Sequence, residues 1–136
     1  MARILVIDDD ELVRRTVETM LRMGGHEVTL AVDGADGVER FQRQTFDLVI
    51  ADIFMPNKEG FETLRELRQI TEQLPIISMT GSFPGPHRGG ELVNADYLRM
   101  AQVFGATRTI SKPFSHRDLL ALVDECLAAG KSEPRG

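Results

Sequence analysis

The stretch that decides the fold is Asp47-Leu48-Val49-Ile50-Ala51-Asp52-Ile53-Phe54-Met55-Pro56-Asn57-Lys58-Glu59-Gly60. Leu48, Val49 and Ile50 run apolar without a polar break, the pattern of a strand buried on both faces, because a half-exposed strand alternates. Such a strand belongs to a parallel sheet with helices on either side. In open parallel sheets the ligand crevice lies beyond the carboxyl ends of the strands, and Asp52 falls there if the strand, expected over Thr45–Ala51, stops near Ala51. Met55-Pro56-Asn57 then turns the chain. Capping a helix is the plainer use of an aspartate, but several residues and a proline separate Asp52 from the next helix. Asp52 is the leading candidate for chemistry.

Upstream, a second apolar run, Ile4-Leu5-Val6-Ile7, ends in Asp8-Asp9-Asp10-Glu11, so the first strand also delivers carboxylates. Val13, Val17, Met20 and Leu21 recur at helical spacing until Gly24-Gly25 and predict a first helix. His26–Ala31 alternates through Val28 and Leu30 like an edge strand, Asp33-Gly34 reads as a turn, and Ala35, Val38 and Phe41 carry a short second helix. Downstream, Phe61, Leu64, Leu67 and Ile70 define a third helix whose polar side holds Glu62, Arg65, Glu66 and Arg68. Pro75–Met79 predicts a fourth strand ending in Thr80-Gly81-Ser82. A Gly- and Pro-rich loop over Ser82–Gly90 and a fourth helix over Leu92–Phe104 follow. Thr107–Ile110 is the expected fifth strand and leads into Ser111-Lys112-Pro113-Phe114. Ser115 with Asp118 makes a capping-box-like start for a last helix over Leu119–Ala128.

Five strands alternating with five helices predict a doubly wound α/β domain, a parallel sheet covered on both faces. The strand order 2-1-3-4-5 puts the switch point between the first and third strands and brings Asp8, Asp9 and Asp52 into one crevice. Residues 2–128 form one domain on this reading, and 129–136 a flexible tail.

The 136 residues, 42% of them hydrophobic, suffice for one sizeable core. A net charge of −5 opposes general attraction to nucleic acid or to an anionic membrane, since phosphate binding needs a basic stripe. Arg14-Arg15, the sole adjacent Arg/Lys pair, reads as a solvated helix face. The single cysteine, Cys126, is spaced from Leu119, Leu122 and Val123 like a core residue. Ile4–Ile7 is too short for a signal-peptide core and no run is long enough to span a membrane, so the expected location is the cytoplasm.

Carboxylates about 5 Å apart repel by roughly 3 kcal/mol per pair at an effective dielectric near 20, so three together call for a cation. Mg²⁺ suits them, because it takes oxygen ligands and is usually held by one or two carboxylates plus a substrate phosphate. His26, His87 and His116 lack zinc-ligand spacing and are expected to be solvated. A carboxylate beside Mg²⁺ can attack a phosphoryl group and form an aspartyl phosphate, and the phosphoryl oxygens then need donors. The Thr80 hydroxyl, the Gly81 N–H and Lys112 stand at the ends of the fourth and fifth strands to supply them. Singly, Thr80 reads equally well as an ordinary strand end and Lys112 as a solvated cation; the set as a whole is harder to explain so.

Asp8-Asp9, Asp52 followed by Met55-Pro56 and Gly60, Thr80-Gly81, and Lys112-Pro113-Phe114 together resemble the receiver domain of bacterial two-component response regulators, over roughly Ala2–Ala128. The resemblance implies a flavodoxin-like (βα)5 three-layer sandwich. It implies Asp52 as phosphoacceptor, Asp9 as a direct Mg²⁺ ligand, Asp8 as a ligand through water and the Phe54 carbonyl as a further ligand. It also implies that Thr80 swings toward the phosphoryl group, that Lys112 pairs with it, and that Lys112-Pro113 is cis. The implied partners are a sensor histidine kinase or a histidine phosphotransfer protein and a downstream protein target. A stand-alone signalling module that assists its own phosphotransfer and dephosphorylation is expected, rather than an enzyme.

Two departures from the family pattern stand out. Position 109, where the family has a switching Tyr or Phe, is Thr109, and the stretch from Thr80 to Lys112 is longer than usual. Extra residues at Ser82–Gly90 are most simply a surface insertion; they are also placed to carry the switch. Competing readings are a phosphate-independent interaction scaffold on the same fold, a small Mg²⁺-dependent phosphohydrolase and a flavin carrier. The hydrolase wants an acid at position 54, which is Phe, and three aspartates after the first strand would repel a flavin phosphate.

Overall fold

The structure, a computed structural model, describes residues 2–52, 59–80 and 105–131. Its elements are β1 (Arg3–Ile7), α1 (Glu11–Met23), β2 (Glu27–Ala31), α2 (Gly34–Arg43), β3 (Leu48–Asp52), α3 (Glu59–Ile70), β4 (Ile76–Thr80), β5 (Arg108–Ser111) and α4 (His116–Lys131). The expected loop over Ser82–Gly90 and helix over Leu92–Phe104 lie outside the described residues, so the C-terminal helix is numbered α4 here. The five strands form one sheet in the order β2-β1-β3-β4-β5, every neighbouring pair parallel. This is the doubly wound order expected from the alternation of elements.

All of β3 is buried, as its unbroken apolar run requires. Its two faces feed two cores. Ile4, Val6, Leu48, Ile50, Ile77 and Met79 pack with Val13, Val17 and Leu21 of α1 and with Leu119, Val123 and Cys126 of α4. Leu5, Ile7, Val49, Ala51 and Ile76 pack on the other side with Leu64 and Leu67 of α3, with Val38 and Phe41 of α2 against them. Gly37 lets α2 lie close to the sheet, since a Cβ there would come within 2.4 Å of Ile7 Cδ1. Cys126 is buried, as its spacing suggested.

Several local expectations are corrected. Asp33-Gly34 is not a free turn: Asp33 caps α2, its Oδ1 accepting from the Asp36 N–H at 2.8 Å. On that helix Ala35 faces solvent, while Gly34 and Gly37 are buried. Strand β2 does not alternate, because Val28, Thr29 and Leu30 are all half-buried at the sheet edge. Ile70, the last residue of α3, is exposed. His26 is not solvated. It is 8% exposed, and its Nδ1 accepts from the Ala2 N–H at 3.2 Å, tying the start of β1 to the α1–β2 turn. Ser115 caps α4 through a 3.0 Å bond from the Asp118 N–H, and the helix runs past Ala128 to Lys131.

Candidate functional site

Register builds the site. Ile7 of β1 pairs with Ala51 of β3, so the next residues along, Asp8 and Asp52, emerge side by side at the carboxyl edge of the sheet. Thr80 pairs with Ser111 across β4 and β5, which brings Lys112 to the same edge. Asp52 is itself the last residue of β3 rather than just beyond it.

Asp8 and Asp52 are buried and Asp9 is exposed; one carboxylate oxygen from each of the three lies within 4.8 Å of the others. Lys112 reaches into this cluster, its Nζ 3.3 Å from Asp52 Oδ2 and 3.6 Å from Asp8 Oδ2, with the side chain only 6% exposed. It is a buried counter-ion, not a solvated surface cation. The Lys112–Pro113 peptide bond is cis.

The turn after β1 is tied on itself. Asp8 Oδ1 accepts from the Asp10 N–H at 2.8 Å, and Asp10 Oδ1 in turn accepts from the Leu12 and Val13 N–H groups, capping α1. Asp8 Oδ2 is left buried without a hydrogen-bond partner, facing Lys112 at ion-pair distance. Burial, with the Asp52 charge second, pushes the Asp8 carboxyl up to about 7; the Lys112 charge and the Asp10 N–H act against this and do not cancel it. An orphaned carboxylate oxygen beside two further acids is the donor set of a hard divalent cation: all oxygen, anionic and over-charged without it. The residues fit a magnesium-type ion.

The Thr80 side chain, Gly81 and the Phe54 carbonyl lie outside what the structure describes. Thr109 is half-buried on β5, opposite Ser78. Of the histidines, His116 is exposed and His87 lies outside the described residues.

Comparison with known proteins decides the family, because the response regulator receiver domain model matches residues 4–124. The chain belongs to the response regulator receiver domain family. This receiver is 35% identical over 123 residues to the transcriptional regulatory protein CpxR of Escherichia coli (strain K12), covering 90% of this chain and 48% of that one. It is 32% identical over 131 residues to the response regulator MprA of Mycobacterium leprae, covering 96% of this chain and 53% of that one. The receiver thus spans about half the length of these two curated relatives. Among solved structures it resembles a response regulator receiver domain protein from Clostridium thermocellum, with a TM-score of 0.82 and 30% identity over 96% of this chain and 98% of that one. A CheY-like receiver domain protein from Methanospirillum hungatei JF-1 matches with a TM-score of 0.82 and 28% identity, covering 98% of this chain and 99% of that one. The relatives are response regulators, signalling modules, and the fold of this receiver is theirs. Among the described residues no helix is long and apolar enough to cross a membrane.

Besides His26, two residues escaped the sequence reading. Arg14, expected on a solvated face, is half-buried and donates from Nη1 to the Asp8 carbonyl at 2.8 Å, while its neighbour Arg15 pairs with Glu11 on the exposed face of α1. Arg68, placed on the polar side of α3, donates to the carbonyls of Gly105, Thr71 and Leu74 and to the Thr107 hydroxyl. One signal was available for Arg14: a cation in the opening turns of a helix is opposed by the helix dipole and so wants another partner.

Proposed function

We propose that this receiver accepts a phosphoryl group on Asp52 from a sensor histidine kinase or a histidine phosphotransfer protein and signals by protein–protein contact. The observation that carries this reading is the pairing of the buried Asp52 with Lys112 at 3.3 Å, in a cluster with Asp8 and Asp9. In the transfer, an Asp52 carboxylate oxygen attacks phosphorus, the new O–P bond forms as the bond to the donor's imidazole nitrogen breaks, and that nitrogen keeps the electron pair. Bound Mg²⁺ supplies charge neutralisation between the two anions. Asp9, Asp52 and the Phe54 carbonyl would hold it directly, and Asp8 through water. Lys112, the Thr80 hydroxyl and the Gly81 N–H take the phosphoryl oxygens, holding charge that spreads over them as the transfer proceeds.

The chain acts as a phosphoacceptor that assists its own phosphotransfer and dephosphorylation, not as an enzyme with a separate substrate. The receiver runs from residue 2 through the expected boundary at 128 to the end of α4 at Lys131, and the setting is the cytoplasm. With Thr109 in place of an aromatic ring, the readout passes through the Ser82–Gly90 loop. The test is the intact mass of the protein after incubation with Mg²⁺ and a small acyl phosphate. Gain of one phosphoryl group, absent without Mg²⁺, is expected; no gain at saturating Mg²⁺ overturns the reading in favour of a phosphate-independent scaffold.

A further inference from the structure

Arg14 connects α1 to the acidic turn twice. Its backbone N–H donates to the Asp10 carbonyl at 3.0 Å, and its Nη1 donates to the Asp8 carbonyl at 2.8 Å. Asp8 is wholly buried, and its carbonyl lies one residue beyond the end of β1. A buried carbonyl needs a donor, and one from a cation makes a charge-assisted bond. The side chain and backbone of Arg14 therefore close a ring with Asp8, Asp9 and Asp10, in which Asp10 also turns Asp8 Oδ1 aside and caps the helix. What the ring leaves pointing into the crevice is Asp8 Oδ2, the oxygen without a hydrogen-bond partner. Asp9 is carried on the same turn.

We propose that Arg14 is a positioning residue for divalent-cation binding: its guanidinium, bonded to the Asp8 carbonyl, holds the Asp8-Asp9 turn in the geometry that presents both carboxylates to the metal. The proposal deepens the reading of Asp52 as a phosphoacceptor and rests on it for biological meaning, but it concerns a binding step that can be measured alone. Arg14 touches neither the phosphoryl group nor the metal. Its effect is on where two acids stand.

The sign of the effect separates positioning from charge. Removing a cation near a divalent-metal site by charge alone tightens the metal, because a repulsion is lost. Removing the clamp on the acid turn loosens it, because the acids must be ordered at the moment of binding. The experiment is calorimetric titration of Mg²⁺ into the full chain as wild type, Arg14→Met and Arg14→Lys, with thermal unfolding of each recorded alongside. Arg14→Met is expected to raise the Mg²⁺ dissociation constant about tenfold, the lower end of the roughly 10- to 100-fold range for groups that orient metal ligands. Arg14→Lys keeps the charge and the helix but loses the planar fork; it is expected to weaken Mg²⁺ about two- to fivefold, and it carries the test if Arg14→Met does not fold. The rate of phosphorylation by an acyl phosphate should fall in both at limiting Mg²⁺ and recover to within about twofold of wild type at saturating Mg²⁺, the split expected when only binding is lost. Folded variants that bind Mg²⁺ as tightly as wild type, or more tightly, overturn the role of Arg14 and leave the phosphoacceptor reading intact. A wild type that binds Mg²⁺ yet gains no phosphoryl group overturns the phosphoacceptor reading and leaves the Arg14 comparison standing.

Discussion

Lys112 Nζ stands 3.3 Å from Asp52 Oδ2 with both side chains almost fully out of solvent, joining the segment after the fifth strand to the end of the third. The ammonium offsets charge that burial alone would make untenable, and it lies where phosphoryl oxygens on Asp52 would need a donor. Replacing it by Met removes a charge-assisted bond worth about 1.5–3 kcal/mol, so phosphorylation by an acyl phosphate at saturating Mg²⁺ is expected to slow about ten- to a hundredfold. Mg²⁺ affinity should rise in the same variant, because a competing cation is gone. A Lys112→Met rate within twofold of wild type, read from intact-mass time courses, would contradict this role.

Asp52→Asn keeps the volume of the side chain and removes the nucleophilic charge. It is expected to abolish phosphoryl uptake while circular dichroism stays native, since β3 is held by its apolar faces and ladder bonds rather than by the carboxylate. Asp9→Ala, at an exposed position, should leave the fold equally intact and lose Mg²⁺ binding. Phosphorylation of Asp52→Asn at the native rate would end the assignment.

How far this was legible in the sequence depends on the kind of signal. Continuous apolar runs at Ile4–Ile7 and Leu48–Ile50 are forced by burial on both faces, and once they are read as parallel strands the switch point puts Asp8 beside Asp52 without further information. Lys112 could be placed at the same edge by counting strands, but not its burial, which depends on how the chain after β5 packs over the site. His26, Arg14 and Arg68 were misplaced for one reason. Local spacing shows a polar residue no partner and so leaves it to solvent, whereas each of these bonds a backbone group outside its own helix or turn that no local pattern reveals. Helix ends behave similarly: Ile70 continues the apolar spacing of α3 but, as its last residue, is exposed.

Arg68 yields a stability prediction at the opposite edge of the sheet. Its guanidinium bonds the Leu74 carbonyl at 2.7 Å and the Gly105 carbonyl at 2.8 Å, and shares the Thr107 hydroxyl with the Ile76 N–H, so it joins α3 to the starts of β4 and β5. Gly105, at φ +114°, lets the arginine stem pass close by. Arg68→Met keeps the stem but strands these acceptors, and about 2–3 kcal/mol of stability is expected to go with them. Urea unfolding should show the midpoint fall with an unchanged slope, while phosphorylation stays within twofold of wild type. Loss of phosphorylation at native stability would instead place Arg68 in the signalling path.

The metal-free protein should become less stable as pH rises, and Asp8 is the cause. Its folded carboxyl is pushed from 3.8 up to about 7, chiefly by burial and then by Asp52. Between those values the folded chain holds a proton that the unfolded chain releases, so stability falls with rising pH across this window and the whole penalty is present above it. Other groups titrate in the same range, and comparison with Asp8→Asn, which carries every one of them except Asp8, isolates the effect. In a chelator at about pH 8, Asp8→Asn is expected to unfold at least about 3 °C higher than wild type, the shift of roughly 1 kcal/mol in a domain of this size, with the gap narrowing as pH falls and closing near the unfolded value of 3.8. Saturating Mg²⁺ should reverse the order at the higher pH, because the ion stabilises only the chain whose acid cluster can hold it. If Asp8→Asn is no more stable than wild type in the chelator at high pH, the buried carboxylate is not strained in the metal-free fold, and the argument that its orphaned oxygen awaits a cation fails with it.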